Sequence, residues 1–492
     1  MRVYCIHQNV SFSAEIEYAF RLIFSLFGVE PQTLTYQDIA SLADCQMDLL
    51  VSYGCDLPEM EAQSHIHIYE SGFFGSDYLT KASLPRTPLN TYKDVPILFA
   101  GVTTSDEWVA CDRLEEGQIR ISSRIDLLAS CFFPATCYDE IVLHERDEHD
   151  RFPAWASTAY QNGYLSRPLI HEYAALLKQW AAGVGAALPS YFPWAGKRFA
   201  ACITHDVDAV RRYRWCPPVR AMANVLIKDR DIKKAWRLAA GFLAAKLVGD
   251  PFDTFGFLAR LERHYEFDST YFFLAGGQTP HDAAYDLQQR LVQRIFASLK
   301  NRRNEIALHS SYDTSGDAEE LALEKTALES AAGKCVEGVR QHFLRWTSPN
   351  DWMARAHAGF LYDSSLAFAG REGFRCGLAV PFRPFNILTR EEVDIWELPL
   401  HVMDGSLFQY QSLSAEEGAQ RIRSIIDRVE ATGGVFVLLW HNSSLDRRSH
   451  PGWARTYEDV LTTLRRRDAL MTTAAEVTRL WAGQDARIMD VG

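Results

Sequence analysis

From residue 199 onward the chain alternates short apolar runs with longer segments whose apolar positions recur every three to four residues. The runs are FAACIT (199–204), STYFFLAG (269–276), EIALHSSY (305–312), VRQHFLRW (339–346), DIWELPLHV (394–402) and GVFVLLWH (434–441). Their length and their β-branched and aromatic content predict strands. The segments between them, TFGFLARLERHY (254–265), YDLQQRLVQRIFASLKN (285–301), AEEGAQRIRSIIDRVEAT (415–432) and TYEDVLTTLRRR (456–467), carry the helical period. Strands alternating with helices imply parallel pairing through right-handed crossovers, and wholly apolar runs suit strands buried on both faces. The pattern predicts an α/β barrel or an open doubly wound sheet, with a further strand in the 359–370 region.

Before residue 190 the rhythm is different. Short apolar runs such as MDLLVSY (47–53) and VPILFAGV (95–102) mix with helical patches such as SAEIEYAFRLIFSLFG (13–28) and HEYAALLKQWAAGVGAAL (171–188). Two prolines and a glycine in LPSYFPWAGKRF (188–199) mark a boundary between cores. This predicts a separate α/β domain over 1–190, followed by the alternating unit over 191–492.

Composition narrows the class. A chain of 492 residues with 47% hydrophobic and 23% charged residues is an ordinary globular protein, long enough for two cores. The net charge of -12 disfavours nonspecific binding to phosphate backbones, so no nucleic-acid partner is expected. Ten cysteines without a CxxC pair read as reduced thiols. The opening MRVYCIHQNVSFSAEIEYAF lacks the pattern of a secretory signal and no run reaches the ~18 apolar residues of a membrane span, which predicts a cytoplasmic protein without a transmembrane segment. The stretch AWRLAAGFLAAKLVG (235–249), broken by Arg237 and Lys246, reads as an amphipathic helix, and HERDEHDRFP (144–153) as a solvated charged loop.

The unusual residues fall near strand ends. Asp206 and Asp208 follow the first run, His309 ends the third, Arg340 and His342 belong to the fourth, and His441 closes the last. In α/β barrels the C-terminal rim is where loops from separate strands converge on a reacting centre. Oxygen and imidazole ligands from different strands suit a divalent metal with an open position for water, with an uncoordinated aspartate to take a proton and a histidine to give one. His264 and His357 lie in helical runs and are assigned to packing or surface.

In order and spacing, THDVD (204–208), LHSSYD (308–313), GVRQHFLRW (338–346), DIWELPLHVMD (394–404) and VLLWHN (437–442) resemble the successive motifs of the NodB-like polysaccharide deacetylase family, carbohydrate esterase family 4. The likeness covers about residues 197–480. FFPATCYDE (132–140), DEHDRFPAW (147–155) and NGYLSRPLIHEY (162–173) resemble an N-terminal domain of unknown function that accompanies one bacterial branch of these enzymes.

The resemblance implies an irregular (β/α) barrel of about seven strands that binds zinc, or cobalt, nickel or manganese, and removes acetyl groups from N-acetylated, or O-acetylated, sugars. It makes Asp206 the base that activates water, Asp208 and His309 metal ligands, Arg340 the orienter of the base with Asp394 as its partner, and His441 the general acid. Where the family has a second histidine in its second motif this chain has Asp313, so Asp313 or His342 is the third ligand. Tyr312, Trp396 and Trp440 are candidates to stack on a sugar face, and His205 to touch substrate or fill the barrel floor. Two other readings share these residues: a noncatalytic carbohydrate-binding protein on a degraded deacetylase scaffold, and a metal-free glycosidase using two carboxylates.

Overall fold

The computed structural model of the chain describes residues 1–42, 46–57, 64–114, 117–213, 232–282 and 285–489. Two parallel-strand sheets dominate it, one built wholly from residues before 190 and the other wholly from residues after. In the first sheet the strands are β1 (Val3–His7), β2 (Gln32–Thr35), β3 (Leu49–Tyr53), β4 (His65–Ile68), β5 (Val109–Arg113) and β6 (Ile119–Ser123), in the order β2-β1-β3-β4-β6-β5. All neighbours in it run parallel except β5 and β6.

The second sheet comprises β7 (Ala200–Val207), β8 (Thr270–Leu274), β9 (Glu305–Ser310), β10 (Gly338–Gln341), β11 (Tyr362–Asp363), β12 (Trp396–Glu397), β13 (Val402–Met403) and β14 (Val435–Leu439). Their order is β12-β11-β10-β9-β8-β7-β14-β13, with β15 (Leu470–Met471) pairing beside β7. Every pair is parallel, which needs a crossover between successive strands and places helices such as Phe255–Tyr265, Arg290–Asn301 and Trp453–Arg466 in those crossovers. The sheet curls into a half-barrel of mixed α/β character, with β12 and β13 unpaired to one another at its ends.

Two predicted strands are shorter than their apolar runs. The 339–346 run stops pairing after Gln341 and turns through Phe343 and Leu344, whose φ values of 60° and 52° are left-handed. The 394–402 run divides into β12 and β13, with Pro399, which has no N–H for a ladder, between them. The expected strand in 359–370 is β11. The 235–249 stretch lies in the helix Ile232–Val248 except for Gly249, which follows its end.

The segment between the two sheets is packed, not a free linker. Trp194 is fully buried, stacks on Trp481 at 5.7 Å and donates its indole N–H to the Gly433 carbonyl at 2.6 Å. One continuous cluster of buried apolar side chains extends from Val3 in β1 through Phe132 and Trp194 to Val437 in β14 and Trp481. The eight described cysteines are unpaired, and Cys45 and Cys216 lie outside the described residues. No helix among the described residues is long and apolar enough to cross a membrane.

Candidate metal centre and acid–base pair

Strand alternation decides which side chains enter the half-barrel. Successive residues of a strand point to opposite faces, so Thr204, Asp206 and, just beyond β7, Asp208 share one face while His205 takes the other. The same rule pairs Arg340 with His342 and Leu439 with His441 on the inner side, and sends Trp440 outward.

Asp206, Asp208, His309, His342 and His441 line one cavity of about 130 Å3. His309 Nε2 lies 3.3 Å from Asp208 Oδ1 and 3.6 Å from Asp206 Oδ2, and His342 Nε2 lies 3.7 Å from the same Asp208 oxygen. One ligand atom from each of Asp208, His309 and His342 falls within 4.8 Å of the others. His309 Nδ1 sits 2.9 Å from the Arg340 carbonyl oxygen, which can only accept, so this nitrogen carries a proton and Nε2, the nitrogen turned towards the acids, is the one that would offer its lone pair to a cation. Asp208 Oδ1 and His342 Nδ1 are buried and make no hydrogen bond. A buried carboxylate oxygen without a donor, facing two imidazoles, is costly as it stands and fits a divalent cation well. These three residues would hold the metal.

Flanking groups are fixed on both sides. Arg340, fully buried, donates from Nη1 to Asp206 Oδ1 at 2.9 Å and to Thr204 Oγ1 at 2.7 Å. Its Nε and Nη2 donate to the Ser364 carbonyl and hydroxyl, and its guanidinium lies 4.2 Å from the Phe272 ring centroid. Asp206 is thereby anchored through Oδ1, with Oδ2 facing the cavity. On the other side His441 Nδ1 is 2.6 Å from Asp404 Oδ1, and the His441 backbone N–H donates to Asp404 Oδ2 at 2.9 Å. His441 Nε2 points at Asp208 Oδ2 from 3.6 Å.

Electrostatics follow from this geometry. Burial pushes the Asp208 carboxyl up, but the imidazoles of His441, His342 and His309 outweigh it and hold the group far below the usual carboxylate range. For His441 burial works downward, and the carboxylates of Asp404 and Asp208 overcome it, raising the imidazole to about 10. His309 is raised in the same way by Asp206 and Asp208 against burial. The carboxylates that draw protons onto these rings make the same field that attracts a cation.

Other expected residues lie elsewhere. Asp313, the alternative third ligand, has a 69% exposed side chain paired with Arg345 at 3.6 Å, because the turn Tyr312–Thr314 carries it outward. Asp394 does not partner Arg340. Its carboxylate is 93% exposed and bonds Arg383 at 2.5 Å. Trp396 lies under the Arg383 guanidinium, lining with Asp394 a different cavity of about 640 Å3. Trp440 is fully buried between Tyr457 and Phe408, so it presents no face to a sugar. His205 is buried on the outer side of β7, with Nδ1 2.7 Å from the Trp440 carbonyl oxygen and its ring 5.9 Å from that of Tyr457 on a crossover helix, so it is neither at the barrel floor nor in the cavity. Tyr312 is at the rim, its hydroxyl 3.0 Å from His149 Nδ1 and its ring stacked on His281 at 4.5 Å.

Sequence reasoning passed over three residues here. Asp404, the last residue of the 394–404 stretch and the one directly after β13, is the carboxylate that holds His441. Asp282, in a loop without periodic signal, accepts the Tyr312 N–H at 2.8 Å and lies 3.7 Å from His342 Nδ1. Arg151 also lines the metal cavity, although the charged segment 144–153 reads as solvated. It donates to Asp147 Oδ2 at 2.8 Å and to the Phe343 carbonyl at 2.7 Å, which pins that segment over the rim.

Comparisons with known proteins fall on both parts of the chain. A family of unknown function, DUF7033, matches residues 3–183. No curated protein matches. Among solved structures the chain is similar to a Mycobacterium smegmatis protein described as a polysaccharide deacetylase, at 19% identity over 59% of this chain and 92% of that one, with a TM-score of 0.41. It is similar to an allantoinase at 14% identity over 60% and 94%, TM-score 0.41. It is also similar to a carbohydrate esterase family 4 pseudoenzyme from Bacillus anthracis, at 9% identity over 57% and 66%, TM-score 0.31.

Proposed function

We propose that the chain is a metal-dependent hydrolase that removes acetyl groups from N-acetylated, or O-acetylated, sugars of a bacterial glycan or its precursor. The observation that carries this reading is the three-ligand cluster of Asp208, His309 and His342, within 4.8 Å, flanked by an anchored carboxylate on one side and a carboxylate-held imidazole on the other. Those ligands suit zinc first, with cobalt, nickel or manganese as alternatives. Bound there, the ion supplies Lewis-acid polarisation of the acyl carbonyl and acidifies water.

The chain's own groups divide the proton work. Asp206, oriented through Oδ1 by Arg340, whose Nη1 is also held by Thr204 Oγ1, accepts the proton of the attacking water at Oδ2. Water oxygen bonds the acetyl carbon, the bond from that carbon to the sugar nitrogen or oxygen breaks, and His441 Nε2 delivers a proton to the departing atom. Asp404 accepts the Nδ1–H of His441, fixing the ring so that Nε2 is the donor. The products are acetate and a free amine or hydroxyl. A metal-free glycosidase needs two carboxylates on opposite sides of the bond to be cut, whereas here Asp206 and Asp208 both converge on His309 Nε2, at 3.6 and 3.3 Å, with the imidazoles of His342 and His441 around them.

The test is a pair of variants assayed for metal content and for acetate release from acetylated chito-oligosaccharides. Asp206→Asn is expected to keep about one equivalent of metal and to lose turnover by at least roughly 100-fold, whereas His309→Ala loses the metal itself. Metal in the wild type with no acetate release from any acetylated sugar would favour a noncatalytic binder. Both variants retaining wild-type turnover would end the assignment.

A further inference from the structure

The metal cavity, about 130 Å3, is smaller than the ~300–1,000 Å3 of most ligand clefts, so it accommodates the reacting end of a substrate and little more. A second cavity of about 330 Å3 lies directly beside it. Arg151, Leu344 and Tyr410 line both, so these side chains alone form the shared wall. The Tyr410 hydroxyl takes only long bonds from Arg151, 3.3 and 3.4 Å, and the residue is 47% exposed.

This second cavity is assembled from both parts of the chain. Trp155 and Tyr160 come from the segment that follows the 144–153 loop, Arg371 from a loop of the half-barrel and Tyr410 from its short helix Ser406–Tyr410. Trp155 is 58% exposed and Tyr160 39%. Of the five exposed aromatic side chains among the described residues, Trp155, Tyr160 and Tyr410 all line this cavity, while Phe192 and Trp236 lie elsewhere. The Arg371 guanidinium sits 5.4 Å from the Tyr160 ring centroid and bonds Gln411 Oε1 at 2.5 Å, so hydrogen-bond donors rim an aromatic floor. An apolar plate edged with donors is what the two faces of a pyranose ring require: axial C–H groups on the plate, hydroxyls on the rim.

We propose that this cavity is a second sugar subsite that binds the pyranose residue adjoining the acetylated one, with Trp155 as its stacking platform, and that the N-terminal part of the chain thereby sets substrate length. The proposal rests on the deacetylase reading for what the neighbouring residue is. It makes the protein prefer a disaccharide or longer glycan over a single acetylated sugar.

The test compares N-acetylglucosamine with N,N′-diacetylchitobiose on the full chain, using Trp155→Ala and, as a remote control, Trp236→Ala. Trp155→Ala is expected to lower kcat/KM for the disaccharide about fivefold to tenfold, mainly through KM, with the monosaccharide and the Trp236→Ala control unaffected. Equal losses on both sugars, or none on the disaccharide, would overturn the subsite. A parallel fluorescence titration with the disaccharide is independent of turnover: saturable quenching in wild type that disappears in Trp155→Ala supports the subsite, and its absence from wild type overturns it. Should wild type release acetate from no acetylated sugar yet show that quenching, the deacetylase reading fails and the subsite stands.

Discussion

His342 and His441 each present one ring nitrogen to Asp208, and for both the chain supplies an acid at the other nitrogen. Asp404 sits 2.6 Å from His441 Nδ1, while Asp282 is 3.7 Å from His342 Nδ1. A carboxylate hydrogen-bonded behind an imidazole fixes its tautomer and orientation, as Asp404 does for His441, whereas Asp282 at 3.7 Å acts on His342 through its charge, so the two acids have separable roles. Asp404→Ala should lower kcat roughly 100- to 10,000-fold with bound metal unchanged, because His441, the proposed general acid, loses its orientation. Asp282→Ala should instead weaken metal affinity about 10- to 100-fold, read by titration against a chelator. As controls, Asp313→Ala and Asp394→Ala should match wild type in metal content and turnover, since both carboxylates are largely exposed and bonded to surface arginines. Much of this cluster is legible in sequence, because Asp206 and Asp208, or Arg340 and His342, are two apart at a strand end and so share a face. The same alternation turns His205 and Trp440 away, which clustering near strand ends conceals unless the period is applied residue by residue. Asp282 carried no signal, for it stands in a loop whose position depends on the folded rim.

Elements of the half-barrel differ in how they are held, and that difference governed what could be read. The helix Ala415–Thr432 matches its periodic segment end to end because local chemistry fixes both termini. Ser414 and Glu417 form a reciprocal cap, and Gly433 takes the left-handed φ of 70°. Strands β11 and β12 have only two residues each, too few for a periodic pattern, and buried polar groups hold this end of the sheet. Arg355, fully buried, bonds Asp351 at 2.5 Å and Gln341 Oε1 at 2.9 Å and lies in ion-pair contact with Asp363 at 3.2 Å, and Glu397 accepts the Trp352 indole N–H at 2.8 Å. Gln341 directly precedes His342, so the network also supports a residue of the proposed metal site. Replacing the cation strands two buried carboxylates: Arg355→Met should cost about 3–5 kcal/mol, seen as a lower urea midpoint with the slope unchanged, and should weaken metal binding as well. A midpoint within error of wild type would show that the network contributes nothing to holding β11 in place.

Across the whole molecule the two sheets are joined by buried groups as well as by the shared apolar cluster. Arg375 holds Glu140 through two bonds of 2.6 and 2.7 Å, and Tyr18 donates its hydroxyl proton to the Arg383 carbonyl. His171, on the helix Leu169–Gly183, accepts the Ala379 N–H at Nε2 from 3.1 Å, and His401, beside β13, accepts the Val437 N–H at Nδ1 from 3.2 Å. Both rings must be neutral to accept. Burial lowers His171 to about 3, with His401 adding to the effect, and burial lowers His401 to about 4. In the unfolded chain each titrates near ~6.5, so below that pH the unfolded state binds the extra protons and the folded state does not. Stability from these two histidines is therefore complete above pH ~6.5 and falls as pH drops towards about 4, by up to about 1.4 kcal/mol per ring per pH unit. Two buried acids oppose this: burial raises Glu324 to about 7 and Asp139 to about 6, so their contributions fall as pH rises through the same range. The informative quantity is thus the difference between wild type and His171→Gln, whose amide oxygen accepts the same N–H without titrating. The stability of wild type minus that of the variant should fall steadily as pH drops from 6.5 to 4.5 in equilibrium urea unfolding, with both segments of the chain melting in one transition because the junction they share is what weakens. A difference that does not change with pH would mean that His171 is solvated or charged in the folded protein, and the close joining of the two sheets at Ala379 would fall with it.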